Sequence, residues 1–147
     1  MSKASLIRES RGQTLIEMAF AFPLFISLLF GAAEYGRLCY IGIEVTNAAH
    51  AGATYGSQNR GTSSDTAGMT TAATNDGANL TGMSVTPQQL CAASYSDTPS
   101  SCSNFSGIPA IVYVQVNTQV TVTSLFHSAG FGGSYTLYGQ AIERVRQ

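Results

Sequence analysis

Tryptophan is absent from the chain, histidine occurs twice, and charged residues make up only 10% of its 147 positions. Lys plus Arg (7) nearly balance Asp plus Glu (8). No basic surface large enough to follow a phosphate backbone is expected from this balance, so nucleic acid is not expected as a partner. His50 and His127 have no Ser or acid placed beside them by a motif. Asp65, Asp76 and Asp97 stand singly in polar stretches, with no carboxylate cluster and no EF-hand pattern. Neither a Cys-x-x-Cys pair nor another metal-ligand spacing occurs. The glycine run Gly130-Phe131-Gly132-Gly133 follows a strand-like segment but opens no helix, so it lacks the setting of a phosphate cradle. An enzyme is therefore the weakest of the functional classes, and no cofactor or metal is expected.

One stretch departs from this sparse, small-residue composition. From Met18 to Ala33 the chain reads MAFAFPLFISLLFGAA, sixteen residues without a charge. Extended back to Gln13, with Glu17 as its one charge, the run has 21 residues. A helix needs about 20 residues, at 1.5 Å each, to cross a bilayer. Lys3, Arg8 and Arg11 against Glu9 leave a positive excess ahead of the run, and only Arg37 closely follows it. The positive-inside bias then keeps residues 1–12 cytoplasmic and sends the remainder across the membrane. Three readings meet this pattern. A cleaved signal peptide would have a shorter core and a small-residue cleavage site after it, for which Gly31 and Ala33 are the candidates. A plain single-span anchor accounts for length and orientation but not for the carboxylate. The third reading rests on the junction Arg11-Gly12-Gln13-Thr14-Leu15-Ile16-Glu17.

An ionisable group within a span costs about 2.5–3.5 kcal/mol at the helix centre on insertion scales, and less near its end. Such a group usually has a partner, and this span supplies no Lys, Arg or His. A cut after Gly12 would create an α-amino group on Gln13, one helical turn from Glu17. Stacked subunits could then pair one chain's amine with a neighbour's carboxylate. The plainer alternative is a Glu17 that snorkels to headgroups. The string RGQTLIEMAFAFPLFISLLFGAAEYGR resembles the amino terminus of type IVb prepilins, and more narrowly the TadE-like pseudopilins of Tad (tight adherence, Flp) pilus systems. The matching residues are Gly12, Glu17, Pro23 and Glu34-Tyr35-Gly36-Arg37. Thr46-Asn47-Ala48-Ala49-His50-Ala51-Gly52-Ala53 continues the likeness, with His50 where the family usually has Arg. The resemblance is strong over residues 8–56 and returns faintly at the closing Glu143-Arg144-Val145-Arg146. It implies cleavage after Gly12 by an aspartyl prepilin peptidase, with the apolar helix retained. It further implies packing of subunits through Phe20, Phe22, Leu24, Phe25, Leu28 and Leu29. Pro23 cannot donate to the Ala19 carbonyl, so a kink or an unwound turn is expected there.

Beyond the run, Leu38, Ile41, Val45, Ala48, Ala49 and Gly52 recur at threes and fours, which predicts that one helix continues to about residue 56 with an apolar stripe. Residues 56–64 read as a loop, and Ser64 or Asp65 as the cap of a short helix ending near Ala78. A short strand is expected over 82–90, interrupted at Pro87, and then a Ser-rich loop to Gly107. The clearest strand is 110–123, where Val112, Val114, Val116, Val120 and Val122 share one face that only Thr118 breaks. A Gly-rich turn at 126–134 and a return strand at 135–144 would complete a sheet of three or four strands, whose exposed edges offer a means of pairing with another subunit.

Cys91 and Cys102 flank an eleven-residue step and would lie in an oxidising compartment, which favours their pairing. Cys39 sits at the outer end of the helix, packed, lipid-facing or paired with its twin on another chain. The expected fold is α+β and pilin-like: a long amino-terminal helix, half in the membrane, packed on a small antiparallel sheet. Residues 1–12 form the leader, 13–36 the membrane helix and 37–147 the periplasmic or extracellular domain. The expected role is a minor pilin or pseudopilin whose partners are other pilin subunits or its own copies, the prepilin peptidase and the inner membrane. Its rivals are the major subunit of a thicker filament and an anchored adhesin that contacts its target through the Ser-rich loop.

Overall fold

The computed structural model describes residues 4–106, 110–125 and 133–146, with side chains described from Gly12 onward. Among these residues two α-helices, α1 (Ala4–Ser57) and α2 (Thr66–Asp76), accompany four strands: β1 (Ser84–Ala92), β2 (Ser100–Ser101), β3 (Ile111–Thr123) and β4 (Ser134–Arg144). This is an α+β arrangement, with a long apolar amino-terminal helix and one small antiparallel sheet. The chain divides into two compact units, Met1–Leu38 and Cys39–Gln147.

In the first unit, α1 starts at Ala4 rather than at the apolar run. Nothing between Ala4 and Arg11 breaks a helix, and Gly12 alone costs only about 1 kcal/mol relative to Ala. The helix also runs through Pro23 without interruption. Ser27, the nearest hydroxyl one turn further on, donates to the Leu24 carbonyl at 2.8 Å rather than to the carbonyl freed at Ala19.

The second unit is built on the stripe of small residues. Val45, Ala48 and Ala49 are fully buried on the 3.6-residue spacing that marks them in the sequence, and Ala53 extends the same stripe. The sheet has the order β2-β1-β3-β4, all antiparallel. Its inner face presents Val114, Val116 and Val120 from β3 and Ala141 from β4, and Val145 just beyond β4 is buried as well. Complete burial of a Val side chain contributes about 1.5–3 kcal/mol, so these positions carry much of the unit's stability. Gly56 lets α1 come close to its neighbours: a Cβ there would fall 2.5 Å from Met69 Sδ and 3.1 Å from Val114 Cγ1.

Asp65 caps α2, accepting from the Gly68 N–H at 2.9 Å, and Tyr55 of α1 donates its hydroxyl to the other carboxylate oxygen at 2.8 Å. The helix ends at Asp76, where the Asp76-Gly77 pair stops it two residues short of the expected end.

Three local expectations are corrected. Strand β1 runs unbroken through Pro87, which stands opposite Val116. The short β2 pairs only with Leu90 and Cys91, so β1 is an edge strand at Pro87, where proline is tolerated. The Ser-rich stretch is not wholly loop: it contains β2 and a 3-10 turn over Cys102–Phe105. Thr118 does not break the inner face but is 2% exposed within it. Of the Gly-rich turn expected over 126–134, residues 126–132, His127 among them, lie outside the described residues, and Ser134 already opens β4.

Candidate assembly surface

The exposed apolar part of α1 is the outstanding surface of the first unit. Leu15, Ile16, Met18, Phe20, Phe22, Leu24, Phe25, Leu28, Leu29 and Phe30 are all more than half exposed, Phe20 at 80%. Contiguous apolar area of this size is not stable in water and marks a lipid or protein contact. The helix is also apolar on every side. At 100° per residue, Glu17, Phe20, Leu24 and Leu28 follow one line along it, and Met18, Phe22, Phe25 and Leu29 an adjacent one. A helix apolar all round is a core helix or a membrane span, and no residue of this run is buried within the unit. The segment is long and apolar enough to cross a membrane.

Gly12, Gln13 and Glu17 lie on this helix, and all three are exposed. Glu17 makes no hydrogen bond or ion pair among the described residues. Gln13 and Glu17, four apart, share a helix face with Cβ atoms about 5–6 Å from one another. Pro23 lies toward another side. At the far end of the run, Arg37 Nη2 meets Glu34 Oε1 at 3.0 Å, with the two side chains 27% and 15% exposed. The run is therefore bounded by an ion pair on one side, while its other end carries a carboxylate with no cation beside it among the described residues. On an isolated helix a pair of this spacing contributes only about 0.2–0.5 kcal/mol, so its place at the end of the run is more informative than its energy.

Cys91 and Cys102 are disulfide-bonded, and Cys39 is an exposed free thiol. The bond ties the β2 segment to β1, beside the register pair Cys91 and Ser100. A further polar cluster was not anticipated. Glu143 points from the inner face of β4, accepting from Thr54 Oγ1 at 3.1 Å and from Ser57 Oγ at 2.9 Å. His50 Nδ1 stands 3.9 Å from the same carboxylate. The spacing of His50, Thr54 and Ser57 on one helix face was visible in the sequence. Their common acceptor was not, because its place depends on the β3–β4 register. The cluster anchors α1 to β4 within the second unit. Among the described residues no three His, Cys, Asp or Glu side chains converge as metal ligands.

Among curated proteins and among solved structures no significant match was found. Residues 12–54 match the family model described as TadE-like protein, a stretch that begins at the junction glycine and ends one residue past the buried small-residue stripe; over this amino-terminal segment the chain is similar to that family.

Proposed function

We propose that the chain is a minor pilin or pseudopilin of a Tad-type (type IVb) pilus system, and that its role is structural rather than catalytic. It inserts in the inner membrane through the apolar part of α1 with its second unit in the periplasm, and is processed between Gly12 and Gln13 by a prepilin peptidase. It then joins or primes a filament serving adherence, biofilm formation or secretion. The observation that carries this reading is Glu17: an exposed carboxylate at the start of an apolar helix, four residues from the proposed new terminus, inside the segment that is TadE-like. In a filament the apolar faces of neighbouring helices would pack by van der Waals contact and exclude lipid, as in membrane bundles. Each Glu17 would be neutralised by a Gln13 amine. The Glu34–Arg37 pair supports a boundary at the outer end of the span, since it places matched charges where the run leaves the hydrocarbon.

Mass spectrometry of the protein purified from membranes tests the reading directly. A mature terminus at Gln13 is the expected result. A terminus at Met1 would indicate a plain anchor, and one near Glu34 a secreted domain; either overturns the processing step. Filaments made of this chain alone would make it the major subunit instead.

A further inference from the structure

The outer face of the sheet carries a second feature, separate from the apolar helix. Along β1, β3 and β4 the residues facing away from α1 form cross-strand rows fixed by the register. Ser84 lies opposite Gln119 and Gln119 opposite Tyr138; Thr86 lies opposite Asn117 and Asn117 opposite Gln140. These six side chains line an open groove of about 380 Å³. That is within the range of about 300–1,000 Å³ usual for small-molecule sites. None of the six is charged, and the nearest cation along β4, Arg144, is four residues further on, about 13 Å by strand rise. Arg144 is already engaged over the Tyr95 ring, 5.3 Å from its centroid.

The polar atoms in the groove are partly set in place. Asn117 Oδ1 accepts from Gln140 Nε2 at 2.8 Å and from Gln115 Nε2 at 3.0 Å. With Oδ1 the shared acceptor, Asn117 Nδ2 keeps two N–H donors, and Gln140 and Gln115 keep their carbonyl oxygens as acceptors. Donors and acceptors thus alternate across three amides whose rotamers hold one another. Beside them stands Tyr138, 71% exposed. Neither its hydroxyl nor the side chains of Ser84, Thr86 and Gln119 have a protein partner among the described residues.

We infer that this groove binds a neutral carbohydrate. A sugar ring offers adjacent hydroxyls, each both donor and acceptor, which suit alternating amide N–H and C=O groups. Its C–H face suits an exposed tyrosine ring that is apolar in its body and polar at its tip. The absence of charge disfavours nucleotides, phosphosugars and acidic peptides, whose desolvation no lysine or arginine here would offset. An apolar peptide would leave the amides unpaired. The site neither requires filament assembly nor is required by it, so a sugar-binding test and a processing test fail independently.

The experiment uses the full chain in a detergent without a sugar headgroup, titrated with cellohexaose, chitohexaose and maltohexaose while side-chain amide resonances are followed by NMR. Oligogalacturonate serves as the anionic comparison. At least one neutral oligosaccharide should shift the Asn117 and Gln140 amide signals, with a dissociation constant on the order of 0.1–1 mM. Tyr138→Ala and Asn117→Ala should each weaken it about tenfold, and Gln58→Ala, at the end of α1, should not. Tyr138 is exposed, so its truncation leaves the fold intact, as unchanged backbone resonances would verify. The proposal is overturned if none of the three sugars shifts these signals up to about 10 mM. Tighter binding of oligogalacturonate, or undiminished binding by Tyr138→Ala, overturns it equally.

Discussion

Thr118 Oγ1 donates a hydrogen bond of 2.7 Å to the carbonyl oxygen of Val45, joining β3 to α1 across 73 residues of sequence. The same hydroxyl lies 3.3 Å from the Gly139 carbonyl, so helix and two strands converge on one buried group. Gly139 permits the approach: a Cβ there would fall 2.5 Å from the Val45 oxygen and 2.6 Å from Thr118 Oγ1. Thr118→Val keeps the shape and removes the bond, and should cost about 1 kcal/mol, a few degrees of melting temperature. Gly139→Ala should cost more, about 3 kcal/mol, because backbone rather than a flexible side-chain tip must move. Thermal melts of the full chain in detergent, followed by near-UV circular dichroism, would rank the two. Equal melting of Gly139→Ala and the wild type would show that helix and sheet can separate freely there.

The disulfide closes a short loop, and β2 is held to β1 by only two register pairs. Replacing both Cys91 and Cys102 by Ser should cost about 2–3 kcal/mol on the loop-entropy estimate. Hydrogen exchange should accelerate over 93–105 while β3 and β4 stay protected. Cys39 should remain the single thiol labelled by maleimide in the oxidised protein. Labelling of two further thiols without reductant would contradict the pairing.

Asp65 has a defined acid response. The Gly68 N–H, followed by the Tyr55 hydroxyl, holds its carboxyl below the ordinary carboxylate value. A group whose folded value is depressed contributes stability that is present above the unfolded value and lost as pH falls through the folded one. Between neutral pH and about pH 3 the wild type should therefore lose stability that Asp65→Asn does not lose, since Asn can still cap α2 without titrating. Urea midpoints at the two pH values measure the difference. Parallel loss in both proteins would assign the acid sensitivity elsewhere.

Glu17→Ala should insert normally and be processed, yet fail to enter a filament; Glu17→Gln should behave in the same way, because it keeps the size and loses the charge. Immunoblots of membrane and sheared-pilus fractions separate insertion from incorporation. Normal pilus yield from either variant would remove charge pairing from the proposed assembly step.

Much of this architecture can be read from residue order. The alternation from Val112 to Val122 marks β3, the three-and-four spacing from Val45 to Gly52 marks the buried stripe, and Ser64-Asp65 marks a helix start. What was misread depended on partners that residue order does not reveal. Pro87 suggests a break until β1 is known to be an edge strand at that point. Thr118 suggests a fault in an apolar face until a helix carbonyl is placed above it. Strand β2 is too short for any periodicity and is located by the disulfide beside it. The amide groove is spread over three strands and exists only once their register is fixed.

Helix α1 passes through Gly12 and Gln13 without a break, and this changes what processing would mean for the backbone. In an unbroken helix the N–H groups of residues 13–16 bond back to the carbonyls of residues 9–12. A cut after Gly12 takes those acceptors away and leaves four donors facing outward at the margin of an apolar stretch. Each such donor carried into hydrocarbon unsatisfied costs several kcal/mol. An acidic side chain near a helix start is the natural acceptor for them, and Glu17 stands just beyond the last of the four. Cleavage would thus open a closed end, and a neighbouring subunit's carboxylate would close it again.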